Sequence, residues 1–342
     1  MATKTTINRN FDGDFSLLIK HKISGGYEII EPIVENGVKW ETDRQGSPGK
    51  LTFKVYYDKS GNLNFQEGDA VVLRYRESGG EWQAVFAGYI FTKKRTKDNW
   101  IDVTAYDQLR YLKNKDTLVY TKWKASDVVR KIVKDYKLIE SNIEDTTFVI
   151  SERVEDNQSL LDIVQNAIDL TLVGSGELYV LYADSVGICL RNTKNMMLDV
   201  VINESVAEDF DYDSTIDNDV YNEIELYYDN DETNKREYFH AVDATNISNW
   251  GILRYTESLQ DSTNAKDRAE KLLKVYNRKK RTLKVSKAFG DCRCRAGASV
   301  IVDLNLGDIK VRNYMLIEKA THTFTKNEYR MDLTLGGTTE FE

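Results

Sequence analysis

Proline, cysteine and histidine are scarce in this sequence, and each scarcity closes off a class of explanation. Only Pro32 and Pro48 occur in 342 residues, so proline-stiffened linkers are absent and any domains must be joined by short polar turns. Three cysteines, Cys189, Cys292 and Cys294, cannot build the disulfide framework of a small secreted protein. The three histidines, His21, His240 and His322, are dispersed, and neither a G-x-S-x-G elbow nor an H-E-x-x-H helix occurs. No apolar run approaches the roughly 20 residues that span a bilayer. Met1 to Asn10 is polar, without the apolar core of a signal peptide. The expectation is a chain made and folded in a reducing cytoplasm. A net charge of -8 argues against a nucleic-acid backbone as the main partner, which needs clustered positive charge.

What remains is strand-forming material. The chain is 41% hydrophobic and holds 20 tyrosines, which suit half-buried strands and protein interfaces. Leu51, Phe53, Val55 and Tyr57 alternate with polar residues, as do Val71, Leu73 and Tyr75. Glu81–Phe91 and Trp100–Ala105 complete about seven strands between Phe15 and Ala105, with turn signals at Gly68 and Gly79-Gly80. The period then changes to helical. Val128, Val129, Ile132, Val133 and Tyr136 form a stripe after Ser126, a candidate N-cap. A second helix begins near Ser159, with Asp162 in its first turn, and stops before Gly174-Ser175-Gly176. A hairpin over Leu178–Tyr182 and Gly187–Arg191 follows. Strands return at Asn222–Tyr228, Arg236–Ala241 and Ile252–Glu257, with a further helix over Asn264–Tyr276.

The last stretch, Thr282 to Leu335, reads as four or five antiparallel strands punctuated at Gly290-Asp291, Gly297 and Gly307-Asp308. Its clearest alternation sets Tyr329, Met331, Leu333 and Leu335 against Arg330, Asp332 and Thr334. Short strands joined this way tend to close, because closure removes exposed edges. The pattern predicts a β-rich α+β multidomain chain with two small β-barrels separated by α/β segments. Its units are 1–112 (first barrel), 113–215 (α/β) and 216–342 (a second α/β segment leading into the second barrel). No close internal repeat is visible, only a loose pseudo-duplication of barrel, α/β and barrel.

Each candidate for chemistry has a plainer alternative. Glu208 to Glu232 holds eleven acidic residues and no lysine or arginine. Asp209, Asp211 and Asp213 match the start of an EF-hand loop, but Ser214 and Val220 occupy the positions that require glycine and glutamate, so no metal site is assigned. A strand with an acidic face, in which Phe210 and Tyr212 alternate with the aspartates, fits better, and could serve as a docking or lumen-facing surface. Cys292-Arg293-Cys294 lacks a second ligand pair for zinc; in a strand the two thiols would share a face at or beyond the edge of disulfide range, and small buried apolar residues are the better reading. Gly174-Ser175-Gly176 ends a helix instead of opening one, and so cannot cradle phosphate. The basic clusters Lys93-Lys94-Arg95 and Arg278-Lys279-Lys280-Arg281 read as solvated turns, with complementary acidic patches on a neighbouring subunit as the alternative. No residue set points to catalysis or a cofactor.

Two patches carry a resemblance. One is Phe86-Ala87-Gly88-Tyr89-Ile90 followed by Trp100-Ile101-Asp102-Val103-Thr104-Ala105-Tyr106-Asp107-Gln108-Leu109. The other joins Gly297 and the Val300–Val302 strand to Asn313–His322 and Tyr329–Leu335. Their order and spacing resemble the XkdQ-like baseplate hub of contractile phage tails and phage-tail-like bacteriocins, and distantly the late-control-D and VgrG-type hubs. The resemblance implies a non-enzymatic structural protein: a homotrimer whose paired barrels make a pseudo-sixfold ring. That ring would join a hexameric tail tube to a trimeric spike, with other baseplate proteins as further partners. It implies neither direct sequence-specific nucleic-acid binding nor membrane insertion, and assembly into a virion baseplate after synthesis in the bacterial host cytoplasm. The alternative is a carbohydrate-binding or cell-wall-degrading tail protein using Trp82, Trp100, Trp123 or Trp250 to stack on sugars.

Overall fold

The structure, a computed structural model, describes residues 13–57, 63–95, 97–230, 233–259, 262, 264–305, 310–326 and 328–338. The turn read at Gly307-Asp308, the acids Asp231 and Glu232 and the N-terminal Met1–Asn10 segment lie outside the described residues.

Seven strands come first: β1 (Gly13–Ile23), β2 (Gly26–Ile30), β3 (Val34–Asp43), β4 (Lys50–Tyr56), β5 (Ala70–Glu77), β6 (Gln83–Arg95) and β7 (Trp100–Tyr106). A 3-10 helix, Gln108–Lys113, leads into β8 (Lys115–Lys124), α1 (Ala125–Asp135), β9 (Glu140–Ile143), β10 (Val149–Ser159) and α2 (Leu160–Ser175). The hairpin β11 (Tyr179–Ala183) and β12 (Ile188–Asn192) precedes β13 (Met197–Ile202) and β14 (Asp209–Thr215). Then come β15 (Glu223–Asn230), β16 (Lys235–Val242), α3 (Ala244–Trp250), β17 (Arg254–Leu259) and α4 (Ala265–Tyr276). The chain ends in β18 (Lys280–Phe289), β19 (Ser299–Asn305), β20 (Lys310–Phe324) and β21 (Tyr329–Thr338).

Most of the expected elements are present. Ser159 caps α2, its hydroxyl accepting from the Asp162 N–H at 3.1 Å, and the expected hairpin is β11–β12. Local details differ for physical reasons. Ser126 does not cap α1: the Asp127 carboxylate accepts from the Lys124 N–H at 2.9 Å, and Ser126 is buried against Thr146. Helix α2 runs through Gly174, which packs on the Phe148 ring, and stops at Gly176. The seven-residue α3, capped by Asp243, is too short to leave a periodic signal.

Four hydrophobic clusters form. One lies under β1–β7, one gathers α1, α2 and β8–β12, one lies under β13 and β18–β21, and a small one joins β15, β16 and α4. The expected pair of closed barrels is not what the described strands form. They give one 13-stranded sheet, ordered β14-β18-β21-β20-β3-β4-β7-β6-β5-β1-β2, with β13 and β19 branching from β20, beside three small sheets, β10-β8, β11-β12-β9 and β16-β15-β17. Among the described residues no strand pairing closes either half on itself. The C-terminal half-sheet draws on β13 and β14, which precede residue 216, as well as on strands after it.

The two halves are nevertheless built alike. Neighbouring strands in the first run β1-β5-β6-β7-β4-β3, and in the second β13-β19-β20-β21-β18-β14. Sorted by chain order, the two series match one to one. Agreement extends to single residues. A bulge sits at Phe91 where β6 meets β7, and another at Glu318 where β20 meets β21. Gly68 (φ 90°) donates to the Ile90 carbonyl at 2.8 Å, and Ile90 donates to Asp69 at 2.9 Å. Gly297 (φ 91°) donates to Ile317 at 2.8 Å, and Ile317 donates to Ala298 at 2.8 Å. These anchors superimpose Ile101-Asp102-Val103-Thr104 on Met331-Asp332-Leu333-Thr334. Differences remain: β1 is antiparallel to β5, whereas β13 is parallel to β19; β2 has no counterpart; and the β3–β4, β5–β6 and β18–β21 pairings carry register shifts that their counterparts lack.

Candidate functional site: the seam between the two half-sheets

The half-sheets meet where β3 pairs antiparallel with Lys319–Phe324 at the end of β20. Val38 faces Phe324, Trp40 faces His322, Glu41 faces Thr321, and Asp43 faces Lys319. The seam extends through the Arg44 N–H to the Glu318 carbonyl at 2.9 Å and an Arg44–Glu318 ion pair at 2.7 Å. Asp43 and Lys319 pair at 2.8 Å. Gly37, at φ 89°, lets the two backbones touch, since a Cβ there would lie 2.0 Å from the Phe324 carbonyl oxygen.

His322 is the buried polar centre of the seam. Its ring stacks on Trp40 with centroids 4.8 Å apart. The Cys294 carbonyl, 3.0 Å from Nε2, can only accept, so Nε2 carries the hydrogen and Nδ1 accepts from the Tyr329 hydroxyl at 2.9 Å. Both nitrogens are thus satisfied in the neutral ring. Burial, helped by the Arg295 charge and opposed by the Cys294 carbonyl, lowers its pKa to about 4.

The segment Gly290–Ala298 ties this centre to the rest of the molecule. The Ala296 N–H donates to Thr42 Oγ1 at 3.0 Å. The Arg295 guanidinium lies 3.8 Å from the Tyr182 ring centroid and donates to the Ala183 carbonyl at 2.9 Å. Asp107 approaches from the first half-sheet, accepting from the Gly49 N–H at 2.9 Å and the Leu109 N–H at 3.0 Å. Burial outweighs those donors and Arg295 and raises its pKa to about 7. Both its oxygens are committed to backbone donors, and the cleft lined by Arg44, Ser47, Leu109 and Gln165 does not include it. Its perturbed carboxyl is a structural tie.

The remaining sequence candidates stay apart. His21 pairs with Asp69 at 2.7 Å inside the first half-sheet, and His240 lies 3.8 Å from Glu225 in the β15–β16 hairpin. Cys292 and Cys294 sit in a turn and not in a strand; burial pushes the Cys292 thiol up to about 11 and the Cys294 thiol well above its ordinary value. All three cysteines are free, and among the described residues no group of three or more His, Cys, Asp or Glu side chains could hold a metal. Arg74 and Arg76 lie over Trp82, Trp100 meets Tyr56 edge-on, Trp123 stacks on Tyr120, and Trp250 ends α3. Among the described residues, no two of these four tryptophans are in ring contact.

The acidic run finds partners within the chain on and beside β18, where Lys280 is the member of the basic clusters that meets it. β14 pairs with β18 so that Asp211 faces Lys284 and Asp213 faces Thr282. Lys284–Asp211 at 3.5 Å meets the strand itself, and Lys287–Glu208 at 2.9 Å and Lys280–Asp219 at 2.6 Å neutralise acids flanking it. Sequence reading passed over β3, although Val38, Trp40 and Thr42 alternate with charged residues there. The polar node of Thr42, His322, Tyr329 and Cys294 left no local signal.

This arrangement is a sheet spliced from two like halves through β3 and β20. The fold is shared with the 43 kDa tail protein of prophage MuSo2 from Shewanella oneidensis (TM-score 0.65, 10% identity, 94% of this chain and 98% of that one). It is shared also with a chain of the Francisella PdpA–VgrG complex (TM-score 0.57, 12% identity, 96% of this chain and 54% of that one). In sequence the chain is 27% identical over 316 residues to the phage-like element PBSX protein XkdQ of Bacillus subtilis (strain 168), covering 90% of this chain and 94% of that one. The YQBQ-like family profile matches residues 38–336, and the chain belongs to that family.

Proposed function

We propose that this chain is a structural baseplate hub of a contractile tail or tail-like particle. Three copies form a ring of six similar walls that joins a hexameric tail tube to a trimeric spike. The observation that carries this reading is the repeated strand order of the two half-sheets, spliced through β3 and β20. A chain with two like walls lets a cyclic trimer present sixfold geometry to one neighbour and threefold geometry to another. Each half is read as a barrel-like wall completed by its neighbours in the ring. The units around α1, α2 and α4 lie outside the wall and face other baseplate proteins. The kinship with XkdQ and the fold shared with tail proteins and a VgrG-containing complex support the same reading.

The test is native mass spectrometry of the purified chain across a concentration series, alone and after capture from assembled particles. Species at one and three times the 39.4 kDa chain, with three copies per captured ring, are expected. A stable hexamer, or capture with no defined stoichiometry, would contradict the reading.

A further inference from the structure

The seam can be applied a second time, between copies. In the first half β3 lends its outer edge to β20 of the second half. The matched order makes β14 the counterpart of β3, and β6 the counterpart of β20. β14 pairs only with β18 among the described residues, so its other edge is free. Among the described residues, β6 beyond Ile90 pairs only with β7, so Thr92–Arg95 also offer a free edge. An unpaired strand edge is a template for another strand.

We infer that β14 of one copy pairs antiparallel with Thr92–Arg95 of the next, and that this contact closes the ring. The register follows from the anchors. The shared bulge equates Thr92, Lys93, Lys94 and Arg95 with Lys319, Ala320, Thr321 and His322. The pairings of β4 with β7 and of β18 with β21 equate Trp40, Glu41 and Thr42 with Tyr212, Asp213 and Ser214. Carrying over His322–Trp40, Thr321–Glu41 and Ala320–Thr42 sets Arg95 against Tyr212, Lys94 against Asp213 and Lys93 against Ser214.

The chemistry of the two edges, which played no part in fixing the register, agrees with it. Lys93-Lys94-Arg95 meets a strand carrying Asp209, Asp211 and Asp213. Lys94 and Asp213 are both exposed, and neither has an ion-pair partner among the described residues. The Arg95 guanidinium already rests 4.0 Å from one aromatic centroid, Tyr57, and would take Tyr212 where His322 takes Trp40. Ser214 stands where Thr42 accepts the Ala296 N–H, and the counterpart of Ala296 is Glu67, an exposed residue whose backbone N–H donates to no group among the described residues. Trp40 and Val38 are buried by their seam, whereas Tyr212 and Phe210 are only half-buried. A second seam supplies the missing cover. Alternation of inner and outer seams then runs through six walls and returns to its start after three chains.

This inference rests on the ring reading but is separable from it. In the full chain, Lys94→Cys and Asp213→Cys are combined and the protein is oxidised mildly. Directly opposed residues of an antiparallel pair have Cα atoms about 4.5–5.5 Å apart, within disulfide reach. A non-reducing ladder that ends at a closed trimer is expected, with neither single variant forming it. Independently, Asp213→Lys should lower the trimer fraction by about tenfold, and adding Lys94→Asp should restore it. Trimers that form while this pair stays reduced, or that cross-link through Glu28→Cys on β2 with Asp213→Cys, would overturn the register and leave the ring intact. A chain that stays monomeric at every concentration and is absent from tail particles would overturn both.

Discussion

At His322 every hydrogen-bonding position of the ring is filled while the ring is neutral, so protonation must reverse the Tyr329 contact, the hydroxyl turning from donor to acceptor, as well as bury a charge. Asp107 is displaced the other way, with burial holding a carboxyl near neutrality. The signs are opposite. His322, depressed from 6.5 to about 4, binds fewer protons folded than unfolded, so its contribution is present above about pH 6.5 and lost as pH falls toward 4. Asp107, raised from 3.8 to about 7, binds more protons folded, so its contribution is present below about pH 4 and lost as pH rises to 7. Over the shared window the two nearly cancel in the native chain and separate in variants. His322→Gln should fall further behind wild type as pH rises from 4 to 6.5, and Asp107→Asn should gain on wild type between 4 and 7. The slopes should not exceed about 1.4 kcal/mol per pH unit. Urea midpoints at four pH values measure both, and parallel pH profiles for wild type and variants would show that neither group titrates in its stated window.

At the scale of elements, the seam depends on close backbone approach more than on side-chain fit. Gly37→Ala would add the cost of a non-glycine residue at positive φ and a clash with the Phe324 carbonyl, together about 2–4 kcal/mol. Gly25 offers the control: its φ is 86°, but a Cβ there meets nothing within 4 Å, so Gly25→Ala should cost only about 1–2 kcal/mol. Chemical denaturation of both variants measures the difference; equal losses would mean that the backbone contact contributes nothing. This scale also marks the limit of what the residues reveal. The alternation of Tyr329 to Leu335 and the stripe after Ser159 are local patterns with a period, and they predict a strand and a helix correctly. The pairing of Val38–Asp43 with Lys319–Phe324 is long-range, and two ordinary alternating strands carry no label for each other. Cys292-Arg293-Cys294 lies in a turn and not in a strand, so its spacing alone does not tell which thiol is buried: Cys294 is, and Cys292 only partly. The basic and acidic runs were readable as charge, but their register required the sheet order.

For the whole molecule, duplication explains features that are arbitrary in a lone chain: the acidic outer strand, the basic end of β6 and two half-buried aromatic rings at an open edge. All fall where a repeat of the β3–β20 splice would use them. The bulges at Phe91 and Glu318 and the glycines at 68 and 297 show that the correspondence reaches individual residues. The 10% identity with the MuSo2 tail protein over nearly the full length fits an architecture held by pairing geometry more than by particular side chains. The most direct test of the central claim, two equivalent walls in each of three chains, is single-particle imaging of the assembled ring viewed along its axis. Six similar walls contributed by three chains, with threefold symmetry at higher resolution, is the predicted result; six chains around the axis, or three chains whose half-sheets do not occupy equivalent positions, would contradict it.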